Sequence, residues 1–137
     1  FLREDALLAL VILTDEDDCS RTDDPIEETI DTSMSGSAAM DSCDPSNPEI
    51  VPITDSIGAL DAVKGDRGRW ATTVIAGETS CSSSFGDAIE ATRLKQFVDE
   101  VGENAVFSSI CEGDLSSALM TALETFDTAC QSFPPLI

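Results

Sequence analysis

The chain opens on an apolar block in which hydrophobic and polar positions do not alternate. Ala6-Leu7-Leu8-Ala9-Leu10-Val11-Ile12-Leu13-Thr14 runs unbroken and then gives way to Asp15-Glu16-Asp17-Asp18. Its length predicts a strand buried on both faces, the kind found in parallel sheets. A short buried helix is the competing reading, because Leu and Ala favour helices. Across residues 16–52 no period is sustained: Asp, Ser and Thr dominate and Pro25, Pro45, Pro48 and Pro52 punctuate the stretch. A connection of that length is commonly a functional or mobile loop. The plainer reading is a solvated insertion closed by Cys19 and Cys43.

Regular patterns then resume. Ile53, Ile57, Leu60 and Val63 share a helical face, with Thr54 as the expected N-cap and Gly65 as the stop. Trp70 to Ala76 (WATTVIA) is rich in β-branched residues and predicts a second strand, ended by Gly77. Leu94, Phe97, Val98 and Val101 mark a second helix closed by Gly102, and Ala105 to Ile110 (AVFSSI) a third strand. Asp114 is placed to cap a last helix, whose Leu115, Ala118, Leu119, Ala122, Leu123 and Phe126 form one stripe. Strands alternating with helices predict an α/β domain built on a parallel sheet, with right-handed crossovers and helices on both faces. Residues 1–137 are read as a single domain.

Charge narrows the choice of partner. Seven Lys and Arg face 27 Asp and Glu, a formal net charge of −20. Nucleic acid and anionic membranes both need cationic surface, so neither is an expected partner. The first apolar run is too short to span a bilayer. The chain holds no His, which removes Ser-His-Asp triads, Cys-His pairs and His-bearing zinc sites. Five cysteines lie far apart with no C-x-x-C spacing, which excludes a zinc ribbon or thioredoxin motif and favours an oxidising compartment over a reducing one.

In open parallel sheets, ligands bind beyond the carboxyl ends of the strands. The acidic run after the first strand therefore stands at the functional edge. Its carboxylates repel one another, which favours a hard cation, Mg²⁺ or Ca²⁺, with Asp17 and Asp18 as candidate ligands from local charge. The spacing is not that of an EF-hand loop, and a solvated acidic loop is the alternative. Lys64, Arg67 and Arg69 read as a solvated basic turn before an anion site. Ser80 and Ser82-Ser83-Ser84 supply hydroxyls but have no base nearby, and Trp70 and Phe97 read as core. No catalytic residue is expected.

The ordered series of motifs resembles the von Willebrand factor type A domain, in particular its secreted or lipoprotein-type bacterial members. Leu13-Thr14-Asp15, continuing as Glu16-Asp17-Asp18-Cys19-Ser20, is similar to that family's fourth strand and following loop. The later matches are LDAVKGD at 60–66, VIAG at 74–77, Cys81, Phe85-Gly86, Arg93-Leu94 with Phe97, Ser109-Ile110-Cys111 and the closing amphipathic helix. The resemblance covers residues 1–20 and about 60–130. It implies a three-layer, doubly wound α/β/α sheet of which this chain carries only the C-terminal half. It also implies an extracytoplasmic, divalent-cation-dependent adhesion module, in which Asp15 reaches Mg²⁺ or Ca²⁺ and a protein ligand completes the coordination.

Where the chain departs from the family, the function is put in doubt. The family's DxSxS motif would lie upstream of Phe1; Asp31-Thr32-Ser33-Met34-Ser35 fits the pattern but follows the Thr-Asp instead of preceding it. Coincidence in a Ser- and Asp-rich loop and a permuted site are both open readings. The alternative function is a structural half-domain, or a Ca²⁺-steadied surface domain without a working metal site. Either way the strand at 6–14 would offer an apolar edge to a missing N-terminal half, a protein ligand or a second copy. Cys81 and Cys111, at the same edge of the sheet, are expected to pair, and Cys19–Cys43 would staple the acidic loop. Cys130 is the candidate odd thiol, and reduced, buried thiols remain the alternative. The expected location is extracellular, periplasmic or at the cell surface.

Overall fold

A computed structural model of the chain describes residues 2–22 and 46–134. The strands β1 (Leu8–Leu13), β2 (Trp70–Ala76) and β5 (Ala105–Ser109) form one parallel sheet in the order β1-β2-β5. Three helices connect or follow them: α1 (Ile53–Lys64), α2 (Thr92–Val101) and α3 (Ser116–Gln131). A small antiparallel hairpin, β3 (Cys81–Ser83) with β4 (Gly86–Ala88), rises between β2 and α2 and was not anticipated from the sequence. The protein is therefore mixed α/β with a three-stranded parallel sheet, and the expected order of strands and helices holds.

The central strand explains itself. Every residue from Trp70 to Ala76 is buried, as β-branched side chains require when both faces are covered. Leu8, Leu10 and Ile12 share a face with Trp70, Val74, Ala105 and Phe107, and Ile53 and Ile57 of α1 and Leu94, Phe97, Val98 and Val101 of α2 close over it. Trp70 and Phe97 stack at the centre with ring centroids 6.2 Å apart. Burial of each large side chain there contributes about 1.5–3 kcal/mol. The opposite face of β2, Ala71, Thr73 and Ile75, is buried outside that cluster. It lies under α3, which packs on β2 and β5 and seats its small residues Ala118, Ala122 and Ala129.

Two expectations are corrected here. β1 is not buried on both faces: its residues alternate between half-buried and exposed, and Val11 and Leu13 are each 54% exposed. The run lacks polar residues, yet among the described residues only β2 lies beside it and no helix covers its outer face. The helix at 53 is also capped differently. Pro52 occupies the N-cap and makes no side-chain cap bond, and Thr54 lies inside the helix. Pro fits because its fixed φ suits a helix entry.

The helix stops are as expected: Gly65 ends α1 at φ 80° and Gly102 ends α2 at φ 82°, a region other residues rarely enter. Gly77 is required for a different reason. A Cβ there would lie 1.9 Å from the carbonyl oxygen of Ile89, because the segment entering α2 crosses directly over it.

The acidic connection is closed at its base. Val51 N–H donates to Ser20 O and Thr22 N–H to Glu49 O, both at 2.8 Å, bringing Arg21 and Ile50 together as an antiparallel bridge. Between these points lie the residues outside the description.

Candidate functional site

The carboxyl ends of β1, β2 and β5 bring together the loop after β1, the β3–β4 excursion and the turn at Ile110–Glu112. This is the edge at which the sequence places its candidate ligands. The first strand releases Asp15, whose carbonyl accepts from Ile89 N–H at 3.0 Å. The Asp15 and Glu16 side chains are exposed.

Asp17 turns back over the sheet and caps α2. The N–H groups of Arg93 and Leu94 donate to its Oδ2 and Oδ1 at 2.9 and 3.1 Å, and Asp18 N–H donates to Oδ1 at 2.8 Å. The helix's own N-cap, Ala91, makes no side-chain cap bond, and its first turn contains no acidic residue. Asp17 supplies both the missing acceptor and the negative charge favoured at a helix N-terminus.

Asp18 meets Arg93, which is buried. The guanidinium donates to Asp18 Oδ2 from Nη2 at 2.7 Å and from Nε at 3.1 Å, and to Val51 O at 2.7 Å. Burial alone would raise the Asp18 carboxyl. Hydrogen bonds from Ser20 and Arg93, with the charge of Arg93, outweigh it and hold the group below the ordinary carboxylate value. The pair ties β1's loop, the end of the acidic connection and α2 into one unit.

The four consecutive acidic residues therefore divide. Asp17 and Asp18 have protein donors, whereas Asp15 and Glu16 face solvent. Among the described residues, no three Asp, Glu, Cys or His side chains converge as a metal site. The Asp31–Ser35 segment lies outside the described residues, so its relation to Asp15 is not part of this geometry. Arg93 was singled out only as part of the Arg93-Leu94 match; its pairing with Asp18, 75 residues away, had no signal, because the segment reads as an ordinary amphipathic helix.

The cysteines resolve the staple of this edge. Cys81 and Cys111 are bonded, with Cα atoms 5.8 Å apart at a sequence separation of 30, joining the β3–β4 hairpin to the turn after β5. Cys19 is also disulfide-bonded, while the expected Cys19–Cys43 pairing lies outside the described residues. Cys130 is free and exposed, as anticipated. In the serine-rich hairpin, Ser82 donates to Asp87 and Ser84 to Gly113 O.

The basic cluster is not a solvated turn. Lys64 is buried and donates to Ala6 O at 2.8 Å. Arg67 forms a two-point pair with Asp61 at 2.7 Å, and Trp70 Nε1 donates to the same carboxylate at 2.9 Å. Those bonds, that from Arg67 foremost, hold the Asp61 carboxyl below its usual value against the opposing effect of burial. Arg69, also buried, donates to Glu4 O at 3.0 Å and stacks on Phe133 at 4.8 Å. These cations pin the entry to β1 and the C-terminal segment to the lower edge of the sheet.

No family model, curated protein or solved structure matches the chain. Among the described residues no helix is long and apolar enough to cross a membrane.

Proposed function

We propose that this chain is an extracytoplasmic protein-binding module whose partner completes the sheet along β1. One observation carries the reading: among the described residues β1 pairs with β2 alone, and its apolar Val11 and Leu13 stand half-exposed beside that open edge. Thr14 N–H donates to Ile75 O, so by strand alternation Ala9, Val11 and Leu13 turn their N–H and C=O groups outward. Unpaired edges of this kind accept a further strand. The added strand comes from a protein ligand, from the N-terminal half of a von Willebrand factor type A domain, or from a second copy. The resemblance stated above supports this, since that family places strands before the one matched here. The bonded Cys81, Cys111 and Cys19 favour an extracellular, periplasmic or cell-surface setting.

Divalent cations enter this reading through Asp15, because Asp17 and Asp18 already have protein donors. In the adhesion-type form, Mg²⁺ or Ca²⁺ at Asp15 presents an open position to a carboxylate of the protein ligand. In the structural form, the partner binds the edge without a metal. Calorimetric titration of both ions into the chain and its Asp15→Ala variant separates the two. Binding that needs Asp15 and raises the melting temperature supports the adhesion form; weak binding unchanged by the substitution supports the structural one.

The edge itself is tested by sedimentation velocity on the chain and on Ala9→Pro. Proline there removes an outward N–H and leaves the β1–β2 ladder intact. Concentration-dependent association that the variant loses is expected. A monodisperse monomer at high concentration overturns the edge as a binding surface.

A further inference from the structure

At the lower edge of the sheet one buried cation joins three parts of the chain. Arg69 is 7% exposed and stands directly before β2. Its Nη2 donates to Glu4 O at 3.0 Å, in the segment that enters β1, and its Nη1 to Pro134 O at 3.5 Å, in the segment that follows α3. The Phe133 ring covers the guanidinium at 4.8 Å. Pro134 also lies against Gly68, where an added Cβ would be 3.4 Å from its Cδ. α3 delivers these residues to the spot. Its 16 residues span about 24 Å and the 7 of β2 about 23 Å, so a helix leaving the carboxyl edge ends beside Arg69.

The Arg69 site is built from carbonyls and a ring. Among the described residues its hydrogen bonds go to two backbone oxygens, and the Phe133 face supplies further cover. A guanidinium carries five N–H donors, and its charge is costly to bury without partners. When Phe133 and Pro134 leave, water reaches the cation and competes for the donor that holds Glu4 O. Lys64, the other buried pin, bonds Arg3 O and Ala6 O from the end of α1. Arg69 is therefore the bond that carries the segment after α3 into the entry of β1. That entry matters more to β1 than to the other strands. β2 is paired on both sides and β5 is met by both α2 and α3, whereas β1 pairs with β2 alone among the described residues and leaves Val11 and Leu13 open.

We infer that Phe133 and Pro134 form a strap that acts through Arg69 to hold β1 on the sheet. Seated, the strap fixes the entry; displaced, it lets β1 open locally while β2 and β5 stay paired. The inference deepens the reading of β1 as the binding edge and rests on that reading for its consequence: whatever draws off the strap also disorders the edge offered to a partner. Coupling of this kind is reciprocal, so a strand added at β1 tightens the strap.

The test is amide hydrogen exchange, followed residue by residue by NMR on the dilute chain. Thr14 N–H bonds Ile75 O, so by alternation the Leu10 and Ile12 amides face β2 and report its hold on β1. Thr72 N–H bonds Asn104 O, and with Val74 reports the β2–β5 ladder. Phe133→Ala is expected to speed exchange at Leu10 and Ile12 about tenfold, and at Thr72 and Val74 less than about twofold. Phe133→Tyr keeps the ring and should keep the parent's rates. Phe133→Leu keeps apolar cover without the ring face; it should give the same pattern at smaller amplitude, and it decides the matter if Phe133→Ala does not fold. A rise confined to residues 131–134, an equal rise at Leu10 and Thr72, or a Phe133→Tyr variant as fast as Phe133→Ala would each overturn the strap. A monodisperse parent in the sedimentation experiment overturns the edge reading alone, because exchange is read on the monomer.

Discussion

On one face of the sheet, Trp70, Val74 and Phe107 lie beneath Ile57, Leu94 and Phe97, and the strands on both sides of β2 are covered by two helices. On the other face, Ala71, Thr73 and Ile75 lie beneath a helix that seats alanines, while Val11 and Leu13 of the neighbouring strand stand open. The same three strands supply both faces. The difference teaches that coverage by helices, and not strand composition, decides whether an apolar position belongs to a core. The closed face carries stability; the open face leaves Val11, Leu13, Leu119 and Leu123 exposed.

Matched truncations give the sharpest way to break that contrast. Phe97→Ala on the closed face is expected to cost about 3–5 kcal/mol, and Leu123→Ala on the open face less than about 0.5 kcal/mol. Chemical denaturation of the two variants measures both. A large loss at Leu123 would show that the open face is already filled.

The next effect concerns the clasp at the ligand edge. Replacing Cys81 and Cys111 by Ala frees a loop spanning 30 residues, and loop-closure entropy puts the loss at about 3–4 kcal/mol. The expected result is a lower denaturation midpoint in the variant, matching that of the reduced parent if Cys19's bond matters little.

Acid should act on the tie between β1's loop and α2. Asp18 and Asp61 both titrate below their ordinary value of 3.8. Their contribution is therefore fully present above the unfolded-state value and is lost as pH falls through the depressed folded values. Thermal melts between neutral pH and about pH 2 should show falling stability on the acid side. In Arg93→Gln the hydrogen bonds from Ser20 still favour the Asp18 carboxylate, but the share due to Arg93 should be absent, leaving a shallower decline. An unchanged acid limb in that variant would remove the pair from the account.

The smallest effect comes from the centre of the sheet, where Thr72 and Thr73 bury hydroxyls that find no hydrogen-bond partner among the described residues, one on each face. Thr72→Val and Thr73→Val should each stabilise by about 1 kcal/mol, since an unsatisfied buried hydroxyl is removed at little change in shape. A loss at Thr73 alone would mean that the open face admits water to its hydroxyl, which would sharpen the distinction between the faces.

Local chemistry made much of the fold legible. The β-branched run at 70–76 read as a strand, Gly65 and Gly102 read as helix stops and turn through positive φ, and the positions of Cys81 and Cys111 after two parallel strands placed both at one edge. The candidate site was only half legible. A run of carboxylates announces acidity, but whether each one is free depends on donors elsewhere, and Asp17 and Asp18 find theirs at Arg93 and Leu94. Periodicity likewise identified one stripe on the last helix from Leu115 to Phe126. It could not divide that stripe into the alanines that meet the sheet and the leucines that do not.

Sequence alone thus determined what depends on neighbours along the chain: which segments form the three parallel strands and three helices, their order, where Gly65 and Gly102 stop two of the helices, and the net charge of −20. Tertiary structure decided what depends on neighbours across space: that among the described residues β1 is covered on one face only, that Lys64 and Arg69 are buried on backbone carbonyls, and that Asp17 serves as the cap of a distant helix. The physical reason is that backbone preference is a property of one segment, whereas burial and charge pairing are properties of two surfaces in contact.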